Sequence, residues 1–154
     1  MIQEIPLIEG DRSFLLVRSG AKNYAISTSE VVRVVRGLVS YPLPGSRIHL
    51  MGLAQYGGEP LPVLDLHSLV EGRASGTRQR STVILGRGRR RTHSLIGLAV
   101  DEVFRVIVLT EPDNVERAEG FVTHAVEFEG GSVSIVNTGK LLSQGMDTSE
   151  AADG

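Results

Sequence analysis

The sequence predicts an all-β protein of two similar lobes, each a small strand barrel that ends in a helical turn. Three observations predict it. Short segments rich in β-branched residues recur along the chain with turn signals between them. Two stretches match each other in a single register, 72 residues apart from Val31 to Val103. A strong helix N-cap residue, Asp65 or Asn137, closes the last strand of each half.

Taken in order, Phe14 to Arg18 and Tyr24 to Ser27 read as a hairpin around the turn-like Ser19-Gly20-Ala21-Lys22-Asn23. Val31-Val32-Arg33-Val34-Val35 reads as a strand rather than a helix face, because so dense a β-branched run is stiff at χ1 and suits a pleated surface. Pro42-Leu43-Pro44-Gly45 breaks regular structure, since proline lacks a backbone donor and glycine admits positive φ. His49 to Ala54, a turn at Gly57-Gly58 and Leu61 to Leu64 follow as further strands. A second series comprises Thr82 to Leu85, Leu95 to Val100, Val103 to Leu109, Val122 to Phe128 and Val133 to Val136. Such spacing belongs to a sandwich or barrel.

The repeat ties the two series together. Ser29 to Val35 lines up with Asp101 to Ile107, and the same offset places Tyr56 on Phe128, Gly58 on Gly130, Leu61 on Val133, Leu64 on Val136 and Asp65 on Asn137. Short helical turns are expected to follow Asp65 and Asn137, ending near Val70 and Leu142. The expected organisation is one domain over residues 12–143, with a first lobe over 12–72, a second over 77–143, a hinge near Glu71 to Gly76 and an unstructured tail over 144–154.

Composition narrows the function classes. Of 154 residues 41% are hydrophobic and 22% charged, the balance of a globular chain rather than a disordered one. A net charge of −2 supplies no bulk attraction to nucleic acid or anionic membrane. The absence of cysteine rules out disulfides, thiolate catalysis and cysteine-ligated zinc. Residues 1–12 lack the pattern of a signal peptide and no apolar run reaches the ~20 residues of a membrane span, so a soluble, cytoplasmic protein is expected.

Reactive chemistry finds no support in the residues. His49, His67, His93 and His124 have no second ligand at metal-binding spacing. Asp101-Glu102 falls on the repeat opposite Ser29-Glu30 and reads as a turn cap rather than an acid/base pair. Gly139-Lys140 resembles a phosphate loop only superficially, with Ser134 in place of its first glycine and Leu141 in place of its hydroxyl. No serine sits in a nucleophile elbow. No enzyme activity and no cofactor are expected. Arg87-Gly88-Arg89-Arg90-Arg91-Thr92-His93 is expected at an exposed hairpin tip, where Arg87, Arg89, Arg90 and Arg91 offer a possible basic contact; without interleaved aromatic residues, nucleic-acid binding is the alternative rather than the leading reading.

The order of these segments resembles the chemotaxis coupling protein (CheW) family. The resemblance is carried by Phe14-Leu15-Leu16-Val17, Tyr24-Ala25-Ile26, Tyr41-Pro42-Leu43-Pro44-Gly45, Met51-Gly52-Leu53, Leu61-Pro62-Val63-Leu64-Asp65-Leu66 and Ile96-Gly97-Leu98-Ala99-Val100-Asp101-Glu102-Val103, over about residues 12–143. It implies twin five-stranded, SH3-like barrels and a non-catalytic adaptor in bacterial chemosensory signalling. Its implied partners are the CheW-like regulatory domain of a histidine kinase and the cytoplasmic tip of chemoreceptors, at membrane-associated arrays. A narrower relative that binds one of these partners is a further alternative. The resemblance also implies partner contacts at Val31, Arg33, Gly52, Tyr56, Gly57 and Gly58. The chain departs from the family pattern in two places. Gln55-Tyr56-Gly57-Gly58 replaces the usual N-L-R-G, so Gly57 stands where an arginine is usual, and Arg33 stands where a carboxylate is common.

Overall fold

The computed structural model describes residues 11–43, 50–72, 81–86, 95–110 and 120–143. Ten strands are described, β1 (Asp11–Ser19), β2 (Lys22–Ser27), β3 (Val31–Arg36), β4 (Leu50–Tyr56), β5 (Glu59–Asp65), β6 (Ser81–Leu85), β7 (Ile96–Val100), β8 (Glu102–Thr110), β9 (Val122–Phe128) and β10 (Gly131–Val136). A short 3-10 helix (Thr28–Glu30) precedes β3, α1 (Leu66–Glu71) follows β5, and α2, described over 138–143, follows β10. The fold is all-β with two lobes, as expected, and every expected strand is present within a few residues of its expected bounds.

Strand pairing separates the repeat from the lobe. One sheet has the order β8-β1-β2-β10-β9 and the other β3-β6-β7-β5-β4. Replacing each strand of the first five by its counterpart five places along the chain converts one order into the other, so β1–β5–α1 and β6–β10–α2 are the two repeats. Each repeat contributes two strands to one sheet and three to the other. The sheets therefore do not coincide with the contiguous 12–72 and 77–143 lobes: β1 and β2 join β8, β9 and β10, with Phe14 opposite Ile107 and Ala25 opposite Ile135. Register follows the repeat closely. Tyr56 faces Glu59 as Phe128 faces Gly131, and Leu50 faces Leu64 as Val122 faces Val136.

Among the described residues this exchange creates three apolar cores. Alternate side chains on β1 point to opposite faces. Phe14 and Leu16 enter the interior of the first barrel with Ile107, Val133 and Ile135, while Leu15 and Val17 enter a larger core between the sheets. That shared core takes Tyr24 and Ile26 from one sheet, Leu64, Val83, Leu85, Leu98 and Val100 from the other, and Leu69, Leu141 and Leu142 from the helices. Ala54, Leu61, Val63, Ile84 and Ala99 fill the second barrel. Strands β6 and β7 are buried on both faces, which explains why they read as continuous apolar runs. Each fully buried leucine, isoleucine or valine contributes about 1.5–3 kcal/mol from removal of its surface from water, so the shared core locks the lobes together.

Both predicted caps are in place. The Asp65 carboxylate accepts the His67 amide at 3.3 Å and the Ser68 hydroxyl at 2.7 Å. The Asn137 side-chain oxygen accepts the Lys140 amide at 3.3 Å. The bonds from the His67 and Lys140 amides satisfy donors that the first turn of a helix leaves unpaired. The 144–154 tail and most of the Glu71–Gly76 hinge lie outside the described residues.

Candidate functional site

Of the residues singled out from the sequence, Val31 and Arg33 lie on β3, Gly52 and Tyr56 on β4, and Gly57 and Gly58 in the β4–β5 turn, all of them on the second barrel. Val31 is half-buried against the shared core, whereas Arg33 is exposed two residues further along the same edge strand. The strand carries a bulge between them, with Val31 opposite Leu85 and Arg33 opposite Ile84. A bulge re-aims the side chains beside it. Val32 and Tyr56 pack on the same interior, which sets β3 and the β4–β5 turn around one barrel.

The turn itself is built from successive glycines at φ 60° and 80°, Gly57 and Gly58. Two consecutive left-handed residues form the tight hairpin turn that matches strand twist. Both are exposed, and a side chain added at Gly57 would meet nothing within 4 Å. Gly52 differs from its neighbours in this set: it is buried, and a Cβ there would run into the backbone of Tyr41 and Pro42, which crosses β4 at the Tyr41–Leu53 bridge. It lets the crossing segment lie against β4 and offers no side chain to a partner. Beside it, Tyr41 and Val39 are exposed at 69% and 62%, an apolar rim that sequence reasoning did not single out.

The matching end of the first barrel is closed by its own side chains. Arg105, on β8, lies 5.4 Å from the centre of the Phe128 ring and pairs with Glu129 at 2.7 Å. Strands β8 and β9 are opposite edges of that sheet, so this contact marks where the curled sheet meets itself. Glu129 adopts φ 50° beside Gly130 at φ 78°, the same turn as Gly57-Gly58. Phe104 and Val106 flank Arg105 on β8 and are exposed at 44% and 56%. A signal for the arginine–aromatic–turn arrangement was present in the 72-residue offset, which carries Arg33 onto Arg105 and Gly57 onto Glu129.

Several of the remaining polar residues have structural partners. Asp101 is buried, accepts the Gly20 amide at 2.6 Å and lies 3.6 Å from the Arg18 guanidinium, a turn clasp of the kind its place in the repeat suggested. Burial, and secondarily the Glu71 carboxylate, push the Tyr24 phenol above its ordinary value of 10.0. Among the described residues no cluster of three histidine, cysteine or acidic side chains could hold a metal ion, and no helix is long and apolar enough to cross a membrane. The basic segment with Arg87, Arg89, Arg90 and Arg91 connects the antiparallel pair β6 and β7; these arginines, like His49 and His93, lie outside the described residues.

Comparison with known proteins gives consistent matches. The family model of the CheW-like domain matches residues 13–146. A probable chemotaxis protein CheW of Rhizobium etli is 26% identical over 106 residues, a match that spans 68% of this chain and 66% of that relative's length. The crystal structure of the scaffolding protein TtCheW from Thermoanaerobacter tengcongensis superposes with a TM-score of 0.67 at 19% identity, over 82% of this chain and 88% of that one, and so shares the fold.

Proposed function

The chain belongs to the CheW-like domain family, and from that premise we propose that it is a non-catalytic adaptor of bacterial chemosensory signalling, coupling a histidine kinase to chemoreceptors through protein–protein contacts. The observation that carries this reading is the family match across 13–146, almost the whole of the twin-barrel fold. The surface supports it too: an edge strand with Arg33 exposed, an exposed hairpin turn, and the exposed Val39 and Tyr41 on the same barrel suit association with a folded partner. Residues 12–143 act as one unit, because each sheet draws strands from both repeats. The site of action is the cytoplasmic face of a receptor array.

In this reading the barrel end at β3 and the β4–β5 turn holds the regulatory domain of the kinase, while the receptor tip docks separately. A shift in the receptor then biases the geometry of the bound kinase, which requires that the two complexes differ in free energy between kinase states. Titration of the full chain with the purified regulatory domain of the kinase, and separately with a receptor cytoplasmic fragment, is expected to give two saturable complexes and one ternary complex. Binding of the kinase alone would replace the coupler by a single-partner relative. Binding of neither would remove the adaptor reading.

A further inference from the structure

The two repeats carry the same device at their barrel ends, complete in one and incomplete in the other. Arg105 and Arg33 follow the same bulge on matching edge strands, Arg105 opposite Leu16 and Arg33 opposite Ile84. Each arginine has an aromatic residue at the end of the matching strand, Phe128 or Tyr56, followed by the same left-handed turn. In the first barrel the turn residue is Glu129, and its carboxylate takes the guanidinium at 2.7 Å. In the second it is Gly57, which has no side chain, and Arg33 makes no ion pair or ring contact among the described residues.

We infer that Arg33, beside the open Gly57-Gly58 turn, is the docking point for a carboxylate of a protein partner, in the place that Glu129 fills from within the chain in the other barrel. The guanidinium is always charged and presents a planar fork that fits a carboxylate. The absent side chain at Gly57 leaves the approach open, because a Cβ there meets nothing within 4 Å. Tyr56 supplies a ring at the position where Phe128 supports Arg105. Val39 and Tyr41 are also exposed on the same barrel, Tyr41 bridged to Leu53 of β4. The internal pair in the first barrel thus specifies the chemistry of the missing group as an aspartate or glutamate side chain of the bound protein.

This inference rests on the adaptor reading, and its test separates the two. The probe is the purified regulatory domain of the kinase, titrated at low salt against the full chain and three variants. Arg33→Glu is expected to weaken binding about tenfold or more, since it turns an attractive pair into a repulsive one. Gly57→Glu is expected to weaken it comparably by supplying the carboxylate internally, while its melting temperature falls by only the few degrees that the left-handed backbone at Gly57 costs, since Glu129 occupies the same turn conformation at φ 50°. Arg105→Ala, at the closed end, is expected to bind as the parent does. Parent-like binding by both Arg33→Glu and Gly57→Glu would overturn the inference and leave the adaptor reading standing. Failure of the parent chain itself to bind the kinase domain would remove the adaptor reading and the inference with it.

Discussion

Gly52→Ala is expected to destabilise the chain by about 4 kcal/mol, from two additive causes. Its φ of 152° is a region that side chains rarely adopt, a strain of about 1–3 kcal/mol. A methyl group at this position would also overlap the carbonyl oxygen of Tyr41 and lie 2.9 Å from the Pro42 nitrogen. Those are backbone atoms tied to β4 by two hydrogen bonds between Tyr41 and Leu53, at 2.8 and 3.0 Å. They cannot rotate aside like a side chain, so the overlap adds a further cost of about 1–3 kcal/mol. A domain is stable by only about 5–15 kcal/mol, and the melting temperature of a chain this size should fall on the order of 10 °C. The same replacement at Gly57 tests the reasoning: it faces open space, so only the left-handed cost of about 1–2 kcal/mol remains. Equal losses at the two glycines, measured by urea unfolding, would show that the Tyr41 crossing is not what requires Gly52.

Asp101→Ala is the second large effect, expected at about 3 kcal/mol. Asp101 is buried at 6% exposure and its carboxylate joins the two repeats, since it lies between β7 and β8 and accepts the Gly20 amide of the β1–β2 turn at 2.6 Å. Its own amide donates to the Arg18 carbonyl at 2.9 Å, a bond the substitution leaves intact. A hydrogen bond to a charged group contributes about 1.5–3 kcal/mol, and its loss leaves the half-buried Gly20 amide without that acceptor. The neighbouring Glu102 provides the contrast. It meets Arg18 at 3.4 Å with more than half of its side chain exposed, where solvent screening reduces a pair to under about 1 kcal/mol. Glu102→Ala should therefore unfold at nearly the parental urea concentration, and Asp101→Ala well below it. A reversal of that order would contradict the assignment of Asp101 as the clasp.

Local signals in the sequence account for the elements but not for their partners. The β-branched run of β3, the turn glycines and the caps at Asp65 and Asn137 act over a few residues, and the structure holds each where its chemistry predicts. The 72-residue offset correctly identified two equivalent halves. An offset between repeats is silent, however, on whether a strand pairs within its own repeat or with the other. Phe14 opposite Ile107 and Ala25 opposite Ile135 are long-range choices made by the shared core, and they turned two expected contiguous lobes into two interlocked sheets. Gly52 carried a readable hint, because glycine inside a strand often marks close approach of another backbone. Its crossing segment could be identified only from the fold.

The candidate site was legible in a similar, partial way. Arg33 and Gly57 drew notice as departures from the family pattern, one at a time. Their relation emerges only when Arg105, Phe128 and Glu129 are seen in contact, since residues 23 and 24 positions apart in the chain give no local cue that they meet. Sequence comparison between the repeats then explains what the contact means for the first half. A buried carboxylate such as Asp101 was recognised as structural from its place in the repeat, but its bridging of the two repeats depended on β1 lying beside β8.

The most direct test of the adaptor reading is autophosphorylation of the purified kinase, mixed with receptor-containing membranes, with and without the full chain. Coupling predicts that the chain raises kinase activity only when receptors are present and makes that activity responsive to receptor ligand. Kinase activity that is unchanged by the chain, with receptors present and both proteins folded, would contradict it.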